Sequence, residues 1–449
     1  MVPHLTTALS GPLLALEERF LAHSAPIEQW FRASWLEHSP PFYASCDLRN
    51  AGFKLAPVDT NLFPGGFNNL NPAFLPLCVQ AAMSAVEKFC PAACKLLLIP
   101  ENHTRNIPYL QNLAQLATLL CQTGLEVRLG SLLPDLAAPR KIELPYGQSL
   151  LLEPLVRRGG QLGLADFSPC AILLNNDLSA GIPPILRGLE GQILLPPLSA
   201  GWAHRRKSRH FAAYDEVAEE FADLINIDPW SINPFFAACR NLDFHARHGE
   251  EELADTVSRL LARIREKYHE HGVEETPYVV VKADAGTYGM GVMTVRDASE
   301  ITRLNRRQRN KMSVIKEGIP VSEVIVQEGV HTFESVRDAV AEPVVYMIDR
   351  YVVGGFYRVH TARGKDENLN APGMEFEPLA FETGCNLPDR GERPDAPPNR
   401  FYAYGAIARL ACLAAARELE EMEEMEMTAR DEETAAGLVD SVASVVSIA

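Results

Sequence analysis

The chain has 449 residues, of which 47% are apolar and 22% are charged, a balance typical of a folded globular protein. Its length exceeds that of one ordinary hydrophobic core and predicts two or three domains. The formal net charge is −16, which argues against a nucleic-acid partner because nucleic-acid binders present basic surfaces. A small anionic ligand remains compatible with this charge, since it needs only a local basic pocket.

The nine cysteines predict reduced, buried thiols in a cytoplasmic protein. Their number is odd, no CxxC pair occurs, and no histidine lies close to Cys90 and Cys94. Neither a zinc site nor a disulfide framework is therefore indicated. The N-terminus shows no signal-peptide pattern, and no window approaches ~18 uninterrupted apolar residues. We therefore expect no membrane partner.

The first half of the chain has the pattern of an α/β domain with a parallel sheet. Helical spacing in the first forty residues predicts one or two helices. Two predicted strands, Lys95–Pro100 and Leu125–Leu129, enclose a predicted helix, Leu110–Gln122. This order is the βαβ unit of a parallel sheet. Two more strands are predicted at Ala171–Leu174 and Gln192–Leu195.

The second half mixes predicted helices and strands and ends in a long helix. The predicted elements are helices at Glu250–His271 and Ser299–Lys311, strands at Val324–Gly329, Val344–Ile348 and Tyr351–Val359, and a final helix at Phe401–Glu426. The glutamates near the end of the final helix are expected to face solvent. They are Glu418, Glu420, Glu421, Glu423, Glu424 and Glu426. The predicted domains are residues 1–235, 236–400 and 401–449.

One stretch, Val279–Val295, predicts a strand, a flexible flap and a second strand. Three successive valines lead to Lys282, and Gly286, Gly289 and Gly291 follow before the next β-branched run. Glycine allows a backbone to approach a ligand closely, and a lysine on the preceding strand can place its ammonium on a polyphosphate. The alternative is a glycine-containing hairpin beside a surface lysine.

Two common nucleotide motifs are absent from the sequence. There is no GxxxxGK[ST], and the three glycines follow the order GxxGxG, which differs from the dinucleotide-binding GxGxxG. The flap also lies between two strands and does not lead into a helix. A Walker site and a Rossmann site are therefore disfavoured.

Two polar segments are candidates for binding a ligand. The loop Val58–Leu70 is rich in amides and glycine, and segment Gly201–His210 is strongly cationic in an otherwise acidic chain. The candidate clamps are Asp59, Asn61, Asn68 and Asn69 with Arg205 or Arg206, because cationic side chains can bind a carboxylate or a phosphate. The alternatives are an ordinary turn and a solvated start of a helix.

The order of motifs resembles the ATP-grasp ligases, in the branch that contains glutathione synthetase. The matching positions are Lys282, Gly286, Gly289 and Gly291 in the flap, Gln327-Glu328-Gly329 at a hinge, Arg358 on a strand, and Asn368 five residues before Gly373. The resemblance implies an α/β (α+β) fold in which an N-terminal parallel-sheet domain precedes an ATP-grasp-like pair of subdomains with a glycine-rich flap.

A narrower resemblance links nearly the whole chain to the ATP-grasp-type bacterial glutamate–cysteine ligases. The segments that carry it are VDTNLFPGGFNNL from Val58, VVVKADAGTYGMGV from Val279, YMIDRYVVGGFYRVH from Tyr346 and ENLNAPG from Glu367. It implies that the chain uses ATP and Mg²⁺ to join L-glutamate to L-cysteine, the first step of glutathione biosynthesis. Another carboxylate–amine ligase such as glutathione synthetase, a non-catalytic nucleotide-binding protein and a scaffold protein remain alternatives.

The resemblance also implies roles for individual residues. The implied catalytic residues are Lys282, Arg358 and Asn368, and the implied cofactor-binding residues are Lys282, Gly286, Thr287, Tyr288, Gly289, Gly291, Gln327, Glu328 and Gly329. In one respect the chain departs from glutathione synthetases, because no Glu-x-Asn metal motif follows Gly373. Glu375 and Glu377 are predicted to bind Mg²⁺ in its place, since Mg²⁺ prefers oxygen ligands.

Overall fold

The computed structural model describes residues 5–6, 12–286, 291–314, 320–378 and 400–446. The α-helices of this part of the chain are α1 (Pro12–Ala22), α2 (Ser24–Glu37), α3 (Leu75–Phe89), α4 (Ile107–Gln122), α5 (Lys207–Ile225), α6 (Glu250–Glu270), α7 (Ser299–Thr302), α8 (Arg306–Met312) and α9 (Arg400–Val446). None of these helices is both long and apolar enough to cross a membrane.

The strands fall into three larger sheets and one short hairpin. They are β1 (Leu5–Thr6), β2 (Tyr43–Asn50), β3 (Leu55–Asn61), β4 (Lys95–Pro100), β5 (Glu126–Ser131), β6 (Arg140–Glu143), β7 (Ser149–Pro154), β8 (Val156–Arg158), β9 (Gln161–Gly163), β10 (Ala171–Asn175), β11 (Ile193–Leu195), β12 (Phe236–Cys239), β13 (Val279–Ala283), β14 (Val292–Val295), β15 (Val324–Glu328), β16 (Ser335–Val336), β17 (Ala339–Ile348), β18 (Tyr351–His360) and β19 (Glu375–Pro378).

The six-stranded sheet confirms the predicted parallel α/β region. Its order is β11-β10-β4-β5-β7-β6, and all neighbours are parallel except the edge strand β6. The central strand β4 is buried over five of its six residues, as expected when both faces of a parallel sheet are covered. The apolar run that predicted this strand therefore reflects its central position.

The seven-stranded sheet combines strands from both ends of the chain. Hairpin β2–β3 pairs through β2 with β17, and β17 also pairs with β18, which pairs with β19. All these pairs are antiparallel. Hydrogen bonds thus join residues on either side of the predicted boundary at residue 235, and the three-domain division stays a prediction.

The four-stranded sheet has the order β12-β15-β13-β14 and is antiparallel throughout. Helix α6 packs on one face of it, with Leu253, Val257 and Leu260 in a core that includes Val281 and Val326. The spacing of these three helical residues is that of one apolar stripe. The opposite face of this sheet is turned towards the seven-stranded sheet.

The prediction of one continuous helix at Ser299–Lys311 is wrong. The structure divides it into α7 and α8. Asn305 begins the second helix with a capping box, in which its side chain accepts from Gln308 N and the Gln308 side chain accepts from Asn305 N. This reciprocal cap satisfies backbone donors that a continuous helix would have bonded internally.

Helix α9 is buried on all sides along its first part, from Tyr402 to Leu419 apart from the half-buried Arg417. Its small side chains allow close packing against α5 and the seven-stranded sheet. The prediction that Glu418 faces solvent is wrong, since its carboxylate is fully buried and bonds Arg205 and His210. Glu421 is exposed, as predicted, while Glu420 is half-buried and pairs with His38.

Candidate active site

A cavity lies between the seven-stranded and four-stranded sheets. The seven-stranded sheet contributes Asp47, Arg49, Asp59, Glu342 and Arg358, the four-stranded sheet contributes Val280, Lys282, Val292, Thr294 and Gln327, and the loop after β18 contributes Asp366, Glu367, Asn368 and Asn370. Charges of both signs dominate one wall, whereas the facing wall combines two valines and a threonine with Lys282 and Gln327. This division suits a ligand with one charged end and one flat, uncharged end.

Strand β13 presents Lys282 to the cavity because strand side chains alternate between two faces. Val279, Val281 and Ala283 are buried in the core beneath α6. Val280 and Lys282 line the cavity. The predicted strand therefore places the lysine on the open side of the sheet, where a ligand can reach it.

The ammonium group of Lys282 is held close to the hairpin β2–β3. Its Nζ donates to the backbone carbonyl of Val58 at 2.6 Å. Burial lowers the pKa of Lys282 to about 8, although the carboxylate of Asp59 opposes this shift. The positive charges of Lys207 and Arg49 act in the same direction as burial and contribute to this lowered pKa. An anion beside this ammonium would favour its charged form.

Three adjacent strands carry a row of buried charges across the seven-stranded sheet. Glu342 on β17 accepts from Arg49 Nε on β2 at 3.0 Å and from Arg358 Nη1 on β18 at 2.6 Å. Burial raises the pKa of Glu342, but the two arginines outweigh burial and leave it below its ordinary value. The row fixes the guanidinium of Arg358 at the cavity wall, where a preorganised cation is most effective.

Asp47 and Asp59 face the cavity from β2 and β3, directly opposite each other in the antiparallel register. Arg358 donates to Asp47 Oδ2 at 3.0 Å, and Lys207 donates to Asp59 Oδ1 at 2.7 Å. Burial raises the pKa of Asp59, but surrounding cations, Lys207 foremost, outweigh it and lower the pKa to about 2. The pKa of Asp47 is raised, because burial outweighs Arg358 and the nearby carboxylates add to it.

The predicted hinge, Gln327-Glu328-Gly329, lies where β15 ends, and its three residues play different parts. The side chain of Gln327 shares the cavity face of the sheet with Val280, its cross-strand partner. The carboxylate of Glu328 turns away and forms a buried ion pair with Lys54 at 2.8 Å. Only the backbone of Glu328 is therefore placed to meet a cavity ligand.

Gly329 makes room for an aromatic ring. A Cβ added at this position would lie 2.1 Å from the ring of Tyr278, a separation that real atoms do not adopt. The Tyr278 hydroxyl donates to the carbonyl of Val330 at 2.8 Å and accepts from Arg49 at 3.2 Å. The glycine thus lets the hinge pack against the tyrosine that supports the charged row.

The flap between β13 and β14 is anchored at its base. Ala283 N donates to the carbonyl of Gly291 at 3.1 Å, and φ is +93° at Gly286 and +62° at Gly291. Residues with other side chains rarely adopt such angles. Three predicted cofactor-binding residues lie outside the described residues: Thr287, Tyr288 and Gly289.

Asp284 joins the base of the flap to helix α5. Its carboxylate accepts from Ser208 N at 2.7 Å and from Ser208 Oγ at 2.6 Å. This carboxylate satisfies a free donor of the first helical turn and complements the helix dipole. Because α5 also carries Lys207, the flap base and the partner of Asp59 are held by one rigid helix.

The structure brings the three predicted catalytic residues to one cavity. Lys282, Arg358 and Asn368 lie far apart in the chain, and all line it. The Asn368 side chain also closes a turn by accepting from Asn370 N at 2.9 Å. Their catalytic roles stay predictions, because position alone does not test them.

Most of the predicted substrate clamps lie elsewhere. Asp59 lines the cavity, but five others do not: Asn61, Asn68, Asn69, Arg205 and Arg206. Arg205 is committed to the buried carboxylate of Glu418, and Arg206 bonds Glu323 at 2.7 Å. Asn61 accepts from Phe63 N at 2.9 Å, which is a turn contact. Apart from Asp59, the geometry gives these clamp predictions no support.

The predicted metal ligands also lie outside the cavity lining. Glu375 is exposed at one end of the edge strand β19. Glu377 lies on the same strand and pairs with Arg337. The geometry offers no support for these two as Mg²⁺ ligands. Carboxylates of the kind that Mg²⁺ prefers line the cavity instead, on other strands.

The residues in or beside the cavity that were not predicted individually include Asp47, Arg49, Lys207 and Glu342. A usable signal existed for three of them. Asp47 and Arg49 occupy alternate positions along strand β2. Glu342 is a single charged residue in the otherwise apolar strand β17. Charges placed this way mark one face of a strand, although they do not show which other strand lies opposite.

Two buried side chains in the lining carry a donor without a hydrogen-bond partner among the described residues. They are Arg358, through Nε, and Gln327, through Nε2. Their exposed fractions are 8% and 1%. An unsatisfied buried donor is costly, and a nucleotide offers acceptors for both, phosphate oxygens for the arginine and a base edge for the glutamine. The lining therefore fits a nucleoside polyphosphate.

Comparison with solved structures gives an extensive match. A provisionally assigned gamma-glutamylcysteine synthetase from Methylobacillus flagellatus KT is 68% identical, with a TM-score of 0.87. The match covers 94% of this chain and 99% of the other. A search of curated proteins finds no match.

Two further solved structures are far less similar. A D-alanyl-alanine synthetase A from Vibrio cholerae is 10% identical over 74% of this chain and 81% of its own, with a TM-score of 0.31. A RimK domain ATP-grasp protein from Sphaerobacter thermophilus is 13% identical over 72% and 98%, with a TM-score of 0.29. Both structures are therefore only distantly similar to this chain.

The profile of one protein family matches almost the whole described chain. That family is the glutamate-cysteine ligase family GshA, and the match extends over residues 17–419. The matched region contains every described residue of the cavity lining. The chain therefore belongs to the glutamate-cysteine ligase family.

Proposed function

We propose that this chain joins the γ-carboxyl group of L-glutamate to the amine of L-cysteine, giving γ-glutamylcysteine, ADP and phosphate. Membership of the glutamate-cysteine ligase family supports the reaction. The observation that carries it at the level of the site is the meeting of Lys282 and Arg358. These cations come from two different sheets and line one cavity that also holds unsatisfied donors.

The nucleotide is proposed to lie along the four-stranded sheet. Val280, Val292 and Thr294 offer a flat and largely apolar wall to the base, and Gln327 offers a donor to its edge. The phosphates then extend towards Lys282, at the other end of this wall. In this arrangement the backbone of the hinge would lie beside the base, as the resemblance implies.

The reaction proceeds in two steps under this proposal. A γ-carboxylate oxygen of glutamate attacks the γ-phosphorus of ATP, and the bond to ADP breaks. The cysteine amine then attacks the carbonyl carbon of the acyl phosphate and loses a proton, and phosphate leaves. Lys282 and Arg358 offset the charge that develops on the transferred phosphoryl group. No side-chain nucleophile is needed.

Mg²⁺ is the divalent cation that we propose for this site. When bound, it would offset the negative charge of the nucleotide phosphates. The chain's own part is to present carboxylate oxygens near Arg358 and to exclude water. The flap between Gly286 and Gly291 is proposed to close over the phosphates, since hydrolysis would otherwise consume the acyl phosphate.

A cytoplasmic location is also part of the proposal. The reaction needs ATP and a reduced cysteine thiol, and reducing conditions are those of the cytoplasm. All eight described cysteines of the chain are free thiols, in agreement with such a compartment.

The test is ADP release by the purified chain with Mg²⁺-ATP, glutamate and a panel of amines. We expect release to depend on glutamate and to be fastest with cysteine. Lys282→Ala should lower the rate by roughly 10²–10³-fold, the scale on which one preorganised electrostatic group contributes. Near-normal turnover in that variant would contradict the assignment of Lys282. Preference for another amine would replace cysteine as the substrate.

A further inference from the structure

The hairpin β2–β3 places two carboxylates side by side on the cavity wall. Asp47 and Asp59 are direct partners in the antiparallel register, and both line the cavity. Opposed side chains in such a pair point to the same face, about 5 Å apart at Cβ. Like charges in this arrangement repel each other, and in this structure Arg358 beside Asp47 and Lys207 beside Asp59 offset the repulsion.

A second feature of the same wall indicates that a polyanion lies next to this pair. Arg358 is more than nine-tenths buried and lines the cavity. Its Nε has no hydrogen-bond partner among the described residues. The Nη1 atom of the same guanidinium bonds Asp47. An anion that satisfies Nε therefore lies within reach of the carboxylate pair. A polyphosphate beside two carboxylates is the setting in which proteins hold Mg²⁺.

We propose that Asp47 and Asp59 hold the divalent cation that accompanies the nucleotide phosphates. This inference rests on the proposed function. Mg²⁺ typically takes one or two carboxylates together with phosphate oxygens and waters, so the pair suffices without further protein ligands. The N-terminal hairpin thus completes a site whose phosphate-binding residues come from beyond residue 280.

The present partners of the two carboxylates leave room for a metal. Arg358 donates to Asp47 Oδ2 at 3.0 Å and more weakly to Asp47 Oδ1 at 3.5 Å, and Lys207 donates to Asp59 Oδ1 at 2.7 Å. An ionised carboxylate offers about four acceptor positions, so one basic partner does not exhaust it. Glu342 is a poorer ligand, because its two oxygens are each taken by a different arginine at 3.0 Å or less.

One rival cluster in the described residues is less suited. Asp228, Glu270 and His271 lie close together, and their side chains are of the types that bind metal ions. However, the ammonium of Lys267 bonds both carboxylates of that cluster. None of these residues lines the cavity. This cluster provides a matched control for any metal measurement.

The experiment uses Mn²⁺ as a spectroscopic probe for Mg²⁺, with the full-length chain and a non-hydrolysable β,γ-imido analogue of ATP. Free Mn²⁺ is counted by electron paramagnetic resonance as protein is added. Asp47→Asn and Asp59→Asn each keep the side-chain shape. We expect each to weaken Mn²⁺ binding in the ternary complex at least tenfold, whereas Asp228→Asn leaves it unchanged. Circular dichroism checks that every variant is folded.

The possible outcomes separate this inference from the proposed function. Wild-type Mn²⁺ affinity in both folded variants would overturn the assignment of the pair. Weakening in Glu377→Gln, with Asp47→Asn and Asp59→Asn unaffected, would place the metal on β19 and would also overturn it. If one of the two variants fails to fold, the other decides. Failure of the proposed function would be seen in the wild-type chain, as absence of nucleotide-dependent Mn²⁺ binding and of ADP release.

Discussion

Binding of nucleotide should be accompanied by proton uptake at Lys282. In the free chain burial lowers the pKa of this lysine to about 8, against the opposing charge of Asp59. Phosphates beside the ammonium favour its charged form and raise the pKa. The bound state therefore holds the proton more tightly than the free state. Protons are taken up, and uptake is largest between the two pKa values.

The size of the effect follows from the free-state pKa. With a pKa near 8, the neutral fraction is about 0.1 at pH 7, about 0.5 at pH 8 and about 0.9 at pH 9. If the phosphates raise the pKa above about 10, the same figures give the protons taken up per nucleotide. A phosphate ester has its own second pKa of about 6. The nucleotide itself therefore contributes little to the proton uptake at pH 8.

Isothermal titration calorimetry measures this uptake. The non-hydrolysable ATP analogue is titrated in buffers of different ionisation enthalpy, and the slope of observed enthalpy against ionisation enthalpy gives the number of protons. Lys282→Met should abolish the uptake at pH 8. Lys54 also has a pKa lowered by burial to about 8, but its ammonium bonds Glu328 behind the hinge. It therefore provides a control.

In the control protein, Lys54→Met is combined with Glu328→Gln, because removing both members of a buried ion pair avoids an uncompensated charge. This double variant should take up as many protons as the wild-type chain. The reasoning is refuted if Lys282→Met keeps an uptake of about 0.5 at pH 8. It is also refuted if only the double variant loses the uptake, since the responsible lysine would then lie behind the hinge.

Two further substitutions test contacts that the sequence did not reveal. Gly329→Ala should lower the free energy of unfolding by roughly 1–3 kcal/mol, the cost of overpacking a core, because its Cβ would meet the Tyr278 ring. Glu418→Gln should lower it by roughly 3–5 kcal/mol, since Arg205 would stay buried without its charge partner. The exposed Glu421→Gln should change it by less than about 0.5 kcal/mol. Urea unfolding measures all three, and equal values for the two glutamates would contradict the burial of Glu418.

The sequence predicted the parts of the fold that local pattern determines. The valines before Lys282 and the glycines after it are consecutive in the chain, and they form the strand, flap base and strand that were expected. The same holds for the βαβ unit that begins at Lys95. Alternation within one strand was enough to place Lys282 on an open face, because that property depends on near neighbours alone.

The orientation of Glu328 could not be predicted in the same way. Its position at the end of β15 agrees with the predicted hinge, but its carboxylate is drawn away from the cavity by Lys54, which lies 274 residues earlier. Likewise, the acidic run at the end of α9 was expected to face solvent, and the burial of Glu418 depends on Arg205, 213 residues away. Such pairings follow from tertiary packing, which a charge pattern does not contain.

The prediction of Glu375 and Glu377 as metal ligands followed chain order, and the structure shows why that order is a weak guide. Glu375 and Glu377 were chosen since they come after Asn368 in the sequence. In the sheet, however, β2 and β18 both pair with β17, and Asp47 on β2 bonds Arg358 on β18. A single sequence gives the order of strands along the chain but not their order across a sheet.

The most direct test of glutamate activation is isotope transfer from substrate to product. Glutamate carrying ¹⁸O in its γ-carboxyl group is incubated with the chain, Mg²⁺-ATP and cysteine, and the released phosphate is analysed by mass spectrometry. An acyl-phosphate intermediate predicts one ¹⁸O atom in each phosphate, because the bridging oxygen leaves with phosphorus. Formation of γ-glutamylcysteine with phosphate free of ¹⁸O would contradict activation of the carboxyl group in this cavity.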